Sequence, residues 1–384
     1  MHVFAVAGEA SGDALGAAFM AGLRDLAPGA QVSGVGGAAM QAAGLHSLYP
    51  MEDLSVMGLA EIVPRYPLLR RRLHQTVAAV LADPPDVLLT IDSPDFGLRV
   101  ARLVRARAPH IHTVHYVAPS VWAWRPGRAA KMAGTIDQVL ALLPFEPPYM
   151  EAAGMRCDFV GHPVVARPEP SAEAVSALRS EALGGAVGPL ILVLPGSRRS
   201  EVTRLSPIFG AAVAEMRRAH PGLRVVLPAA PSVAPLVRAA VAEWEVSTLV
   251  IDPAEADAGA RKAAAFAAAD VALAASGTVS LELAAAGTPM VIGYDMAWLT
   301  MRIMRRMALI DTVTLVNLVS ETRVVPECIG PECRPERLSA ALSDTLARPQ
   351  AQKAAMATTM ARLGASGAPP GHRAAQAVLD GVRG

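Results

Sequence analysis

Residues 184–201 read GGAVGPLILVLPGSRRSE. The run Leu190–Leu194 is apolar without a break, as in a strand covered on both faces. Pro195 and Gly196 stop it, and the sequence that follows predicts a helix over 200–219. Strand, glycine turn and helix make the first half of a βαβ unit. The stretch before it, 166–188, breaks the alternation and includes the Pro-rich ARPEP at 166–170. A second domain therefore opens near 186. Beyond it, strands are predicted at 190–194, 224–227, 248–251, 271–274 and 290–292, with helices at 200–219, 233–244, 259–268 and 279–286. The first half repeats the architecture without repeating the sequence. Its predicted strands are 2–7, 32–35, 87–91, 111–117, 138–142 and 158–160, and its helices 13–26, 67–81, 97–106 and 127–133. We expect an α/β protein with two Rossmann-like, doubly wound domains and a cleft between them. They span 1–165 and 186–334, followed by a helical tail at 335–384 whose last part, 371–382, crosses back to the first domain. Ligands in such domains bind at the carboxyl ends of the strands.

Composition removes several classes. Apolar residues make up 52% and charged residues 18% of 384, so the chain can bury large cores and is not a disordered one. The net charge of +1 gives no footprint for nucleic acid. Cys157, Cys328 and Cys333 have no histidine or cysteine partners at zinc spacing and build no disulfide framework. The opening MHVFAVAGEASGD lacks a basic stretch before its apolar run and reads as a first strand rather than a signal peptide. No run of about 18 uncharged apolar residues exists to span a bilayer. A cytoplasmic protein, one able to lie on a membrane, is the expectation.

Three strand-to-helix junctions carry small polar residues: 8–13 (GEASGD), 194–201 (LPGSRRSE) and 275–282 (ASGTVSLE). Glycine lets the backbone approach a ligand, and a helix N-terminus carries about half a positive charge. In the second, Gly196 and Ser197 with the fork of Arg198 suit a diphosphate. In the third, Ser276, Gly277 and Thr278 suit phosphate, and Glu282 lies one turn inside, within reach of ribose hydroxyls. The same turns also serve as plain helix caps. No P-loop is present, and Gly34-Val-Gly-Gly37 lacks the third glycine of a dinucleotide fingerprint.

The strand at 87–91 ends in Asp92-Ser-Pro-Asp95. A carboxylate at a strand's carboxyl end can act as general base. Alternatively Asp92 caps the next helix and Asp95 is merely solvated. The stretch 115–125 (HYVAPSVWAWR) holds two of the four tryptophans, and its aromatic faces suit a sugar or an acyl chain, or else a packing cluster. His162, after a further strand, reads as structural. Asp92 and Asp95 alone do not make a metal site, so neither metal nor cofactor is expected. Residues 62–82 contain no acid: Arg65, Arg70, Arg71 and Arg72 are interleaved with Tyr66, Leu68, Leu69 and Leu73. A second acid-free run, 297–310, carries Trp298, Leu299, Ile303 and Met304 beside Arg302, Arg305 and Arg306. Such stretches suit an interfacial helix on an anionic membrane surface, or a buried helix with a wet basic face.

The segments GEASGD (8–13), GVGGAAM (34–40), VMGLAE (56–61), IDSPDF (91–96), HYVAPSVWAWR (115–125), LPFE (143–146), GHP (161–163), LPGSRRSE (194–201) and ASGTVSLE (275–282) together resemble the lipid-A-disaccharide synthase family, in that family's order. The resemblance implies a GT-B type fold and an inverting glycosyltransferase. Its donor is UDP-2,3-diacylglucosamine, its acceptor 2,3-diacylglucosamine 1-phosphate, and its products a β(1→6) disaccharide 1-phosphate and UDP. It implies Asp92 as general base, with Asp95 as runner-up or orienting group, and Arg198, Gly196 and Ser197 on the diphosphate. Ser276, Gly277 and Thr278 would bind phosphate, with Glu282 on ribose and Asn317 on the uridine side. Glu9, Ser11 and Gly12 would line the acceptor side. Residues 62–73 would dock on the cytoplasmic face of the inner membrane, and a homodimer is compatible with the family. The competing expectation is another UDP-sugar enzyme on the same fold, such as a UDP-N-acetylglucosamine 2-epimerase.

Overall fold

The structure is a computed structural model that describes residues 1–54 and 59–383, apart from the side chains at 59–63, 299, 303 and 305. Residues 56–58 of VMGLAE thus lie outside the described residues, as do the side chains of Leu299, Ile303 and Arg305. The chain forms two units, Met1–Ala166 with Leu363–Gly384, and Arg167–Arg362.

The first unit holds β1 (His2–Ala7), β2 (Gln31–Val35), β3 (Val87–Ile91), β4 (His112–Tyr116), β5 (Gln138–Ala141) and β6 (Arg156–Phe159). They form one parallel sheet in the order β2-β1-β3-β4-β5-β6. All of β3 is buried, which is why it is apolar but for Thr90, whose hydroxyl donates to the Val114 carbonyl at 3.2 Å. The order reverses between β1 and β3, so the turns after Ala7 and Ile91 meet at a topological switch point. Helix Ala10–Leu26 begins inside GEASGD rather than after it. Buried Gly12 lets this helix approach β3: a Cβ there would stand 3.0 Å from the Ile91 carbonyl oxygen. Helix Pro370–Arg383 lies in this unit, with Ala374, Ala375 and Val378 buried. A Cβ on Gly371 would stand 2.4 Å from the Ala18 carbonyl oxygen, so this helix and Ala10–Leu26 touch backbone to backbone. Gln138 Nε2 donates to the Ala377 carbonyl at 2.9 Å, and Arg373 Nη2 to that of Phe159 at 3.0 Å.

The second unit holds β7 (Leu190–Leu194), β8 (Arg224–Pro228), β9 (Thr248–Ile251), β10 (Val271–Ala274), β11 (Met290–Tyr294) and β12 (Glu327–Ile329). The parallel order is β12-β11-β10-β7-β8-β9, with its switch point between β7 and β10. Residues 166–188, read as a break, contain helix Ala172–Leu183. Ser171 caps its start by accepting from Ala174 N at 3.2 Å, and Gly184 closes it at φ 55°. Helices Pro335–Ala347 and Gln350–Arg362 belong to this unit, so the expected tail 335–384 is divided between the two units. Gln352 ties the second of them to the sheet, exchanging hydrogen bonds with Met290 N and O at 2.9 and 3.1 Å. All three cysteines are free and buried.

Candidate active site

In the first unit the chain leaves β3 through two consecutive left-handed residues, Asp92 at φ 53° and Ser93 at φ 38°. Left-handed backbone costs a non-glycine residue about 1–3 kcal/mol, though aspartate tolerates it better than most. The surroundings hold it there. Asp92 N donates to the Tyr116 carbonyl at 2.9 Å, and Pro94 starts helix Pro94–Arg105 at once. Both carboxylate oxygens of Asp92 are engaged: Ser93 N donates to Oδ1 at 2.9 Å and Ser11 Oγ to Oδ2 at 2.8 Å. Asp92 is partly buried and lies at the switch point, beside the turn carrying Glu9. Ser93 Oγ stands 3.4 Å from Glu9 Oε1. Asp95 differs. Its side chain is 96% exposed and pairs with Arg128 Nη2 at 3.3 Å. Of the two carboxylates, Asp92 is the one held on both oxygens.

His115 is buried under this turn, with Nδ1 2.8 Å from Thr90 Oγ1. Burial pushes its pKa down to about 4, against the pull of Asp92, so it is neutral near pH 7. Sequence reasoning missed Asp13. Its buried carboxylate accepts the N–H groups of Gly37, Ala39 and Met40 at 2.8, 2.8 and 3.0 Å. The glycine run 34–37 therefore opens a helix whose N-terminus the protein itself occupies. It also missed Glu146, which accepts from Leu142 N, Leu143 N and Trp122 Nε1 at 3.1, 3.0 and 3.2 Å. Burial raises its pKa to about 7 despite these donors. The signal was present, since a glutamate inside an apolar run such as 142–146 needs donors.

The predicted docking segment lies on helix Leu59–Ala82, which starts earlier than expected and carries Pro64 and Pro67 inside it. Arg65, Tyr66, Arg70 and Arg71 are exposed and Leu68 half-buried. The remaining three serve the fold. Leu69 and Leu73 pack on the core. Arg72 pairs with Asp53 at 2.6 Å and lies 4.6 Å over the Tyr49 ring. The spacing does not tell which face of an amphipathic helix turns inward.

In the second unit the two expected loops come together at the switch point. Gly196 takes φ 111°, a conformation that side chains resist. Glu201 folds back beneath it: Oε2 accepts from Ser197 N and Arg198 N at 3.2 and 3.3 Å, and Oε1 from Arg198 Nη1 at 3.2 Å. This capping box fixes the turn and leaves the Arg198 guanidinium largely in solvent. Across the sheet from it, Ser276, Gly277 and Thr278 leave β10 and open helix Val279–Ala286. Both loops line a cavity of about 690 Å³ with Pro228, Lys262, Phe266 and Glu282. Burial alone would raise the pKa of Glu282. The charges and hydrogen bonds of Lys262 Nζ at 2.9 Å and Arg167 Nη1 at 2.7 Å outweigh it and hold the carboxyl below its usual range. A carboxylate has about four acceptor sites, so Glu282 retains capacity for a hydroxyl. Asn317 is 1% exposed and is not among the residues that line this cavity. Its amide bonds Thr312 Oγ1, Val325 O and Val325 N at 3.2, 3.0 and 3.0 Å and so pins a loop of the fold. Among the described residues no group of three His, Cys, Asp or Glu could hold a metal ion, and no helix is long and apolar enough to cross a membrane.

Two parallel six-stranded units with loops gathered at their switch points define an α/β protein of GT-B type. The glycotransferase of kitacinnamycin shares this fold at TM-score 0.65 and 17% identity, covering 99% of this chain and 98% of that one. The UDP-GlcNAc 2-epimerase of Neisseria meningitidis, solved with UDP-GlcNAc, shares it at TM-score 0.63 and 11% identity, covering 99% of each chain. At such identities the likeness is one of fold alone. The family model described as lipid-A-disaccharide synthetase matches residues 3–378. The lipid-A-disaccharide synthase of Ruegeria pomeroyi is 63% identical over 387 residues, spanning 100% of this chain and 96% of that protein. That of Rhodospirillum centenum is 47% identical over 385 residues, spanning 98% and 94%. The chain belongs to the lipid-A-disaccharide synthase family.

Proposed function

We propose that this chain condenses UDP-2,3-diacylglucosamine with 2,3-diacylglucosamine 1-phosphate by direct inverting displacement. The 6-hydroxyl oxygen of the acceptor bonds to the anomeric carbon as the bond from that carbon to the UDP oxygen breaks. Asp92 takes the hydroxyl proton, and UDP leaves with the electron pair. The observation that carries the reading is the Asp92 carboxylate, held on both oxygens at the β3 switch point in a chain of this family. Ser11 orients it, and Glu9 lies beside it. In the second unit Arg198, the Gly196–Ser197 turn and Ser276–Thr278 receive the diphosphate, whose growing charge they stabilise. Glu282, steadied by Lys262 and Arg167, accepts ribose hydroxyls. Both substrates carry acyl chains. The exposed Arg65, Tyr66, Arg70 and Arg71, with half-buried Leu68, rest on the anionic cytoplasmic face of the inner membrane, and the enzyme is peripheral there.

The test is turnover of the two acylated sugars in detergent micelles, with and without EDTA, following UDP and disaccharide together. Equal amounts of UDP and β(1→6) disaccharide, unchanged by the chelator, are expected. UDP release without disaccharide, or no reaction from folded protein, rejects the proposal.

A further inference from the structure

The loop between β4 and helix Gly127–Ala133 is held at both ends in backbone that side chains resist: Val117 at φ 87° and Arg125 at φ 52°. A β-branched residue there is a clear outlier. The Glu146 carboxylate fastens the loop through Trp122 Nε1, and the Trp122 ring meets Phe145 edge-on, centroids 5.0 Å apart. Arg125 lies 4.2 Å over the Trp124 ring. So fixed, the loop supplies Val121 and Pro126 to one side of a groove of about 410 Å³. Ala129 and Ala130 of the following helix, and Tyr149 and Ala152 from the segment around helix Pro147–Glu151, line the rest. No charged side chain lines it. Alanine and proline walls offer a sugar nothing to hydrogen-bond, but they suit a hydrocarbon chain, and Tyr149 remains 46% exposed beside it. One ion pair links the groove's helix to the turn after β3. Arg128, one residue before Ala129, pairs with Asp95, three residues beyond Asp92.

We propose that this groove takes an acyl chain of the acceptor sugar. The inference rests on the synthase reading, which supplies an acylated substrate. It gives the aromatic loop 115–125 the task of holding one wall of a chain-binding groove rather than contacting the sugar. Each methylene buried there strengthens binding about fourfold.

Ala130 and Ala152 are exposed, so A130W and A152W fill the groove without disturbing the core. With an acceptor bearing chains of about twelve carbons, kcat/KM falls at least about tenfold, the worth of two buried methylenes. With four-carbon chains it changes less than about twofold. Equal losses on both acceptors, or no loss on the longer, overturn the proposal. A second readout does not depend on turnover. A long-chain acceptor with a diazirine at its acyl terminus is photolysed on the wild-type protein and the labelled peptides are mapped. Label within 121–130 and 147–153 supports the groove. Label elsewhere, helix Leu59–Ala82 included, overturns it. Groove labelling without disaccharide formation rejects the synthase reading and leaves the groove standing. Turnover with label elsewhere does the reverse.

Discussion

Asp92 and Asp95 stand three residues apart, and their chemistry differs because their surroundings do. One is gripped by Ser11 and Ser93, and the other reaches into solvent. Asp92→Asn keeps size and shape but removes the proton acceptor, so kcat falls by about 10²–10⁴. Asp95→Asn changes kcat by less than about threefold, because exposed ion pairs such as that with Arg128 contribute little. Glu146 gives a prediction in pH. Its folded pKa of about 7 lies above the ordinary carboxyl value of 4.5. A group raised on folding stabilises the fold below its unfolded pKa, and that contribution is lost as pH rises through the folded pKa. Between pH 4.5 and 7 it therefore removes about 3 kcal/mol. His115 acts oppositely. Its pKa falls from 6.5 to about 4, so its contribution is full above pH 6.5 and lost as pH falls toward 4. Comparing wild type with Glu146→Gln cancels the histidine. The variant gains stability relative to wild type between pH 5 and 8 in urea titrations, and a parallel pair of curves contradicts the assignment.

The turns between strand and helix carry the site, and they were legible to different degrees. β3 and β7 were plain because strands buried on both faces are almost wholly apolar, Thr90 being the one polar residue in the two. Helix Ala172–Leu183 was missed because prolines and glycines on either side dominate its neighbourhood. The junctions 194–201 and 275–282 were legible because glycine and small polar residues follow a strand in each. Sequence did not separate Asp92 from Asp95, since the left-handed turn at 92–93 has no glycine to announce it. The loop-pinning bonds of Asn317 were not legible, because a buried amide that pins a loop and one that binds a ligand look alike in sequence. At Gly196 the turn itself is testable. A Cβ there would stand 2.4 Å from Glu201 Oε2, in backbone already at φ 111°. Gly196→Ala therefore strains the turn and displaces the cap. We expect a loss of about 1–3 kcal/mol in stability and weaker UDP binding by calorimetry, with Asp92 untouched. Unchanged UDP affinity would remove this turn from the diphosphate site.

At the scale of the molecule, a net charge of +1 conceals local basic surfaces. Exposed arginines gather on helix Leu59–Ala82 and again on helix Trp298–Met307, where Trp298 is 71% exposed beside Arg302, and Arg306 is exposed as well. Each arginine near an anionic bilayer contributes about 1 kcal/mol, so Arg65, Arg70 and Arg71 together contribute a factor of about 10² in partition. Replacing the three by glutamate lowers co-sedimentation with phosphatidylglycerol vesicles by at least that factor. Binding to neutral vesicles, weak already, stays as it was. Equal binding to both vesicle types before and after substitution removes the electrostatic dock. Family membership and fold point to one reaction, and the proposal for it rests on Asp92. The most direct measurement is single-turnover formation of disaccharide by wild type and Asp92→Asn, each with its UDP affinity measured alongside. The account predicts that the variant binds UDP as wild type does and forms disaccharide at least about a hundredfold more slowly. A variant that keeps the wild-type rate contradicts it.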